Sequence, residues 1–293
     1  MQQSTSFSDK LRHYAESPLA VGALILLIAF PFIAMLAPYI APQNPYDLST
    51  VSIMNGRLAP GSTDFTGEMT FILGTDEAGR DLFSAILYGL RISIFVGVLS
   101  AVIGAAIGTS LGLIAAYFGG RVDTIIMRLV DLQLSFPSIL IALVLLATLG
   151  QGVDKVLIAL VVVQWAYYAR TVRGVALSEN AKDYVAAAKS QGLPPIRIMF
   201  RHVLPNCLPP LLVILTVQTA HAITLEATLS FLGLGLPKTQ PSLGLLIANG
   251  FEFMLGYEYW IAIYPGVALL ILVLTINLVG DRLRDVFNPR MAR

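Results

Sequence analysis

Long stretches of apolar residues without charges constrain this chain more than any other feature of its sequence. A helix needs roughly 20 apolar residues to cross a bilayer core of about 30 Å, because unpaired backbone amides are too costly to leave in hydrocarbon. Six segments approach that length, namely residues 19–40, 92–118, 125–149, 156–169, 208–231 and 260–279. The sequence therefore predicts an all-α membrane protein with six transmembrane helices.

Two of the six segments have a feature that needs an explanation. Residues 125–149 carry Arg128 and Asp131 near their start, and we expect these two side chains to pair at i, i+3 as the helix passes the interface. Residues 156–169 would reach only about 21 Å as a helix. They span only if the helix continues past Arg170.

The composition excludes several classes of protein. The chain is 56% apolar and only 13% charged, whereas a soluble domain has roughly 25% charged residues. A net charge of +1 provides no bulk attraction to nucleic acid. The single cysteine, Cys207, and three histidines show no metal-ligand spacing, and no catalytic motif is present. We therefore expect no catalytic, cofactor or metal site and no nucleic-acid partner.

The distribution of basic residues predicts an orientation. Lys and Arg accumulate in short loops on the cytoplasmic side of a membrane. If the N-terminus lies inside, most of the 19 basic residues fall in the cytoplasm. An even number of spans also places both basic termini on that side.

The predicted outer insertion, residues 42–89, contains a stretch with phosphate-loop spacing. Four residues separate Gly74 from Gly79 within 73–81, but Arg80 and Asp81 occupy the positions where Lys and Ser or Thr are required. We interpret this stretch as a structural turn.

The predicted inner loop between the fourth and fifth spans, residues 170–206, is far longer than the roughly 2–8 residues that join most bundle helices. Residues 183–191 read as a short helix that Gly192 ends as a C-cap. A second short helix is expected from Ile196, and Leu204 and Pro205 are expected to stop it. The pattern fits either an amphipathic hairpin on lipid headgroups or a docking surface for a cytoplasmic partner.

This loop resembles the EAA loop of binding-protein-dependent ABC importer permeases. The matching residues are Ala186-Ala187-Ala188, Gly192 and Leu204-Pro205; Ala186 replaces the family's Glu and His202 replaces its Ile. Further blocks resemble the second membrane subunit, the C-type, of the dipeptide, oligopeptide and nickel branch. These blocks are 73–81 with Ser84, Gly89, Arg91 and Ser93, then 119–131, 230–235 and 277–289.

The resemblance implies a type I ABC importer permease core in a bacterial cytoplasmic membrane. It implies a first span in 1–41, a transmembrane domain in 90–284 and a C-terminal cytoplasmic tail in 285–293. It also implies a heterodimer with a second permease subunit, two cytoplasmic ATPase subunits and an extracytoplasmic substrate-binding protein. ATP and Mg would bind the ATPase partners, because this chain has no G-x-x-x-x-G-K-[ST] motif.

A coupling loop at about 179–206 would then contact an ATPase subunit. The resemblance and the loop pattern assign this contact to Tyr184, Ala186, Ala187, Ala188, Gly192, Arg197, His202, Leu204 and Pro205.

Polar residues inside the fifth span form a loose face of Gln218, His221 and Glu226. Ionisable groups at membrane depth are costly and usually face protein or water. Glu226 either lines the outer part of a transport pathway or is an interface carboxylate bonded to a neighbouring helix. His221 taken alone is more typical of packing. The successive small residues Gly104, Gly108 and Gly112 predict close helix packing.

The leading functional hypothesis is therefore a permease subunit of an ATP-driven importer for di- or oligopeptides. Nickel, glutathione and opine permeases of the same branch are alternatives. An ion-coupled secondary transporter that uses Glu226 and His221 is an alternative from another class, although the inverted repeats typical of such proteins are not evident. No motif supports an enzyme.

Overall fold

The computed structural model describes residues 12–47, 49–237, 239–240 and 242–287, and most of these are helical. The helices are α1 Pro18–Ile40, α2 Leu82–Phe118, α3 Gly120–Ser135, α4 Ser138–Leu149, α5 Val153–Asn180, α6 Asp183–Ser190, α7 Pro195–Phe231, α8 Leu243–Phe251 and α9 Trp260–Phe287. A small antiparallel hairpin pairs β1, Ser62–Thr63, with β2, Thr70–Phe71, in the register Ser62↔Phe71. A 3₁₀ turn covers Ile53–Asn55.

Five helices of the described chain, α1, α2, α5, α7 and α9, are long and apolar enough to cross a membrane. Helices α3 and α4 pass the same test only as a pair, and they are bent by 90° relative to each other. Six crossings result if this pair is one broken span, which agrees with the six predicted segments.

The break between α3 and α4 corrects the expectation of one continuous helix over 125–149. Pro137 disfavours a helical backbone at the preceding residue, and Phe136 is extended, with φ −98° and ψ 143°. The expected pairing of Arg128 with Asp131 is also wrong. Asp131 instead forms an ion pair with Arg170 of α5, because α3 lies along that helix.

The fourth predicted span is confirmed in the longer form that it required. Helix α5 continues past Arg170 to Asn180, and its 28 residues are enough to cross a membrane. Helix α2 is also longer than predicted and begins at Leu82 rather than at residue 92. The Asp81 carboxylate caps it by accepting the Ser84 N–H at 2.8 Å. The loop before α2 therefore ends at Asp81.

The predicted turn at 73–81 is confirmed. An Asp76 carboxylate oxygen accepts the N–H groups of Ala78 and Arg80, each at 2.9 Å. Burial raises the pKa of Asp76. Gly79 has φ +83°, and a Cβ there would lie 2.0 Å from the Ser52 carbonyl oxygen, so only glycine fits this close approach.

Helices α2 and α5 form the central pair of the bundle, and the predicted glycine ridge lies between them. A Cβ on Gly108 would lie 2.2 Å from the Trp165 carbonyl oxygen, and one on Gly112 would lie 2.6 Å from that of Ala169. The two backbones therefore touch directly, which confirms close helix packing at this ridge.

The first described residues and the end of α9 lie at the same end of the bundle. The Arg282 guanidinium near the end of α9 donates to the backbone carbonyls of His13 and Tyr14. Helix α6 lies at this end too, which we call the α6 end. The β-hairpin lies at the opposite end, which we call the β-hairpin end. Helix α9 includes the first residues of the predicted tail, 285–293, and residues 1–11 and 288–293 of the predicted termini lie outside the described residues.

Candidate functional site

Residues 181–206 fold into a compact unit at the α6 end, which we call the α6 hairpin. Helix α6 buries Val185 and Ala188 against Ile198, Met199 and Val203 of α7. The remaining faces of α6 are exposed. The hairpin is thus a small knob with an apolar inner side and a free outer side.

Gly192 ends α6, as the sequence predicts. It has φ +70°, a left-handed conformation that glycine adopts without a steric penalty. Its N–H donates to the Lys189 carbonyl at 3.0 Å, and the Leu193 N–H donates to the Ala188 carbonyl at 3.3 Å. These bonds satisfy carbonyls at the end of the helix. A Cβ at Gly192 would meet no atom within 4 Å, so the backbone conformation alone selects glycine.

The expected stop at Leu204 and Pro205 is wrong. The chain continues as one helix from Pro195 to Phe231, with a π-helical segment at Ile198–Val203. The Leu204 N–H donates to the Met199 carbonyl, five residues back. Pro205 then falls in the first turn of the following α-helical part, where its missing N–H needs no partner. The outer side of the hairpin is therefore joined rigidly to a membrane span.

The outer side of the hairpin combines apolar and basic side chains. Ile196 is 65% exposed and Phe200 is 44% exposed, and Arg197 and Arg201 are exposed beside them. Of the residues predicted to make the coupling contact, Ala186, Ala187, Gly192, Arg197 and Pro205 are exposed, His202 and Leu204 are half-buried, and Ala188 is buried.

Tyr184 is 39% exposed, but it differs from the other predicted contact residues because its hydroxyl forms hydrogen bonds to other side chains of this chain. The hydroxyl lies 2.8 Å from a Glu179 carboxylate oxygen, and the Asn206 side-chain amide donates to it at 3.2 Å. Burial and the hydrogen bond to Glu179 raise the pKa of Tyr184 to about 12. The phenol therefore stays protonated and remains a donor near neutral pH.

Glu179 and Asn206 belong to this arrangement, although the sequence did not single them out. The second carboxylate oxygen of Glu179 pairs with Lys182 at 2.7 Å. The i, i+3 spacing of Glu179 and Lys182 was visible in the sequence. The approach of Asn206 was not, since it depends on how α7 continues through Pro205.

Helix α3 is fixed to the same end of α5 by charge pairs. Asp123 accepts two hydrogen bonds from the Arg173 guanidinium, each at 2.5 Å, and Asp131 pairs with Arg170. Bidentate pairs of this kind have a defined geometry. Helix α5 therefore connects the α6 hairpin to both α2 and α3.

The polar residues of α7 occupy different surroundings. Glu226 is fully buried, and its two carboxylate oxygens accept the hydroxyls of Ser93 at 3.0 Å and Ser230 at 2.8 Å. Ser242 lies near the same carboxylate, and its oxygen accepts the Leu245 N–H as the N-cap of α8. In this conformation Glu226 therefore joins α2 and α7 beside the start of α8.

Gln218 and His221 lie nearer the middle of α7. Gln218 is 4% exposed. His221 is half-buried, and its Nδ1 has no hydrogen-bond partner among the described residues. The structure does not bring these two residues to the carboxylate of Glu226, whose partners are serines.

An open cavity of about 480 Å³ lies between α5, α7 and α9 toward the α6 end. Its wall includes Thr171, Val213, Val217, Asp281 and Arg284. The sequence offered no signal for this cavity, because its wall comes from three segments far apart in the chain.

Comparison with protein families finds two matches. Residues 108–293 match the model of the binding-protein-dependent transport system inner membrane component, and residues 5–60 match the N-terminal transmembrane domain of oligopeptide transport permease C. Together these matches extend over most of the chain.

Relatives align along almost the full chain. The dipeptide transport system permease protein of Haemophilus influenzae is 39% identical over 272 residues, which cover 93% of this chain and 90% of that protein. The oligopeptide transport system permease protein of Bacillus subtilis is 34% identical over 287 residues, which cover 98% of this chain and 90% of that protein.

Among solved structures, a chain of the inward-facing MetNI methionine ABC transporter has a similar fold. The TM-score is 0.57 at 22% identity, over 70% of this chain and 97% of that chain. This likeness supports a shared transmembrane fold.

Proposed function

This chain belongs to the family of binding-protein-dependent transport system inner membrane components, and from that premise we propose that it moves di- and oligopeptides inward as one permease subunit of an ATP-driven importer. Proteins of this family are membrane translocation subunits rather than enzymes. The peptide substrate is supported by relatives named as dipeptide, di/tripeptide and oligopeptide permeases. Nickel, glutathione and opines are the competing cargoes.

The complete importer would contain four further components. A second permease subunit would pair with this chain, two cytoplasmic ATPase subunits would bind ATP and Mg, and an extracytoplasmic binding protein would deliver the substrate. The α6 end and both termini would face the cytoplasm of a bacterial cell, and the β-hairpin end would face outward. The excess of basic residues near the α6 end supports this orientation.

The observation that carries this proposal is the α6 hairpin, a capped and exposed knob that continues directly into α7. Its apolar outer side with Arg197 and Arg201 would seat in a groove of an ATPase subunit. Closure of the ATPases would then push the knob and shift the attached spans as a rigid body. Gln218 and His221 are the α7 side chains that we assign to the pathway wall. We assign Glu226, nearer the β-hairpin end, to helix packing.

Replacement of Gly192 tests the coupling role. We expect Gly192→Val to reduce peptide uptake to background and to abolish substrate-stimulated ATP hydrolysis, because a β-branched residue at φ +70° distorts the end of α6. Uptake and ATPase activity would be measured in proteoliposomes that contain the complete importer, and membrane insertion should be unchanged.

Gly150→Val is the matched control. Gly150 also has a positive φ, +85°, and open space around it, but it lies at the β-hairpin end, away from the α6 hairpin. Normal uptake by Gly192→Val would contradict the coupling proposal. Uptake that persists without ATP and collapses with the proton gradient would instead support the ion-coupled alternative. Measuring the ligand of the accompanying binding protein separates peptides from nickel, glutathione and opines.

A further inference from the structure

The hydroxyl of Tyr184 lies where three elements of the chain meet. Glu179 is in the last turn of α5, Tyr184 is in the first turn of α6, and Asn206 is in α7. We call Glu179, Tyr184 and Asn206 the tyrosine junction. No other residue of α6 among the described residues forms a side-chain hydrogen bond to α5 or α7.

Each hydrogen-bonding group in the junction has a defined role. The Tyr184 hydroxyl has one proton, and the shorter distance, 2.8 Å to Glu179, identifies the carboxylate as its acceptor rather than the His202 carbonyl at 3.4 Å. Its oxygen accepts from the Asn206 amide at 3.2 Å. The second proton of that amide goes to the His202 carbonyl at 3.1 Å. The hydroxyl is thus both donor and acceptor within this chain.

The junction matters because the other contacts of α6 within the described residues, namely its apolar side and Lys189 over the Tyr117 ring, include no side-chain hydrogen bond to α5 or α7. The helix has eight residues and buries only Val185 and Ala188, two small side chains. The Glu179 side chain is 9% exposed, and a hydrogen bond to a largely buried carboxylate is stronger than one between neutral groups at the surface. Non-directional apolar contacts allow α6 to slide, whereas the junction fixes its distance from both neighbouring helices.

We propose that Tyr184 is a positioning residue that makes α6 move together with α5 and α7, so that force applied to the α6 hairpin reaches both spans. This inference rests on the proposed function, since the force comes from an ATPase subunit. From α5 the displacement passes to α2 through the backbone contacts at Gly108 and Gly112. Tyr184 itself does not use its hydroxyl to contact the partner.

Tyr184→Phe removes only the hydroxyl and tests this role in the complete importer reconstituted in proteoliposomes. We expect the ATPase subunits to remain bound and the protein to keep its thermal unfolding temperature within a few degrees. The number of substrate molecules moved per ATP hydrolysed should fall about three- to tenfold, the range that the net contribution of one typical intramolecular hydrogen bond gives. Asn206→Ala should lower the same ratio, because it breaks the α7 side of the junction.

Tyr117→Phe is the matched control. Tyr117 lies near the end of α2 at the same end of the bundle, its ring packs under Lys189, and its hydroxyl forms no hydrogen bond within the described residues. This variant should transport like the wild type. Glu179→Gln should retain part of the coupling, since the amide oxygen still accepts the Tyr184 proton.

Two results would overturn the inference. One is an unchanged ratio of transport to ATP hydrolysis in Tyr184→Phe; the other is loss of ATPase binding in that variant, which would make Tyr184 a contact or folding residue. A failure of the proposed function looks different, because the wild-type chain would then bind no ATPase subunit at all.

Discussion

Glu226 shows how strongly one residue depends on its surroundings. A buried carboxylate is costly unless hydrogen bonds replace the water that it loses. The hydroxyls of Ser93 in α2 and Ser230 in α7 do so here, and Ser242 at the N-cap of α8 lies near them. Ser93 and Ser230 belong to separate sequence blocks that resemble the family. In the structure both serines donate to the Glu226 carboxylate.

Replacement of Glu226 should destabilise the protein through these serines. In Glu226→Leu, the buried hydroxyls of Ser93 and Ser230 lose their common acceptor, so we expect a loss of about 1–3 kcal/mol in the free energy of unfolding. The effect is measurable by denaturant unfolding in detergent micelles. Glu226→Gln keeps one acceptor oxygen and should lose less.

Thr228→Ala provides the control on the same helix, because Thr228 bonds only to the Thr224 carbonyl one turn back. Its effect should stay within about 0.5 kcal/mol, as for most surface changes. An equal effect of Glu226→Leu and Thr228→Ala would show that the serines do not depend on Glu226.

At the level of helices, prolines produced the clearest differences between expectation and structure. Pro137 breaks one apolar segment into α3 and α4, whereas Pro205 leaves α7 continuous. The local sequence marks both as helix breakers. At Pro205 a π-helical turn shifts the backbone hydrogen bonds, and contacts of Ile198, Met199 and Val203 with α6 hold that turn in place.

The pairing of α2 with α5 leads to a prediction for Gly108. In Gly108→Ala the added methyl group would lie 2.2 Å from the Trp165 carbonyl oxygen, so the two helices must separate. We expect a loss of about 1–3 kcal/mol in the free energy of unfolding, measured by denaturant titration in micelles.

Gly174→Ala serves as the control for Gly108→Ala, because Gly174 is helical and a Cβ there would meet no atom within 4 Å. Alanine is the better helix former, so this variant should be neutral or slightly more stable. If both variants had the same stability, the backbone contact at Gly108 would not be limiting.

For the molecule as a whole, the contact of Arg282 with His13 and Tyr14 joins the first described residues to the end of α9. An even number of crossings requires these two segments to lie on the same side of the membrane. The α6 hairpin lies at this end and the β-hairpin at the other, which separates the surface proposed to bind ATPases from the surface proposed to receive substrate.

Cysteine labelling tests the proposed orientation. Cys207 is 1% exposed, so the wild-type chain should resist a membrane-impermeant maleimide and provides its own unlabelled control. Glu68→Cys, in the loop between β1 and β2, should be labelled from outside intact cells, and Ala187→Cys, on the exposed side of α6, only after the membrane is opened. Labelling of Ala187→Cys in intact cells would show that the orientation is the opposite of the one proposed.

The sequence by itself determined the apolar segments of the bundle, the glycine ridge, the Gly192 cap and the family. Each depends on residues close together in the chain, because apolar length, helix periodicity and positive φ are local properties. Only the tertiary structure decided the partner of Asp131, the serines around Glu226, the continuity of α7 and the hydrogen-bond partners of the Tyr184 hydroxyl. Those contacts join residues from distant segments, and their energies exist only after the helices have packed.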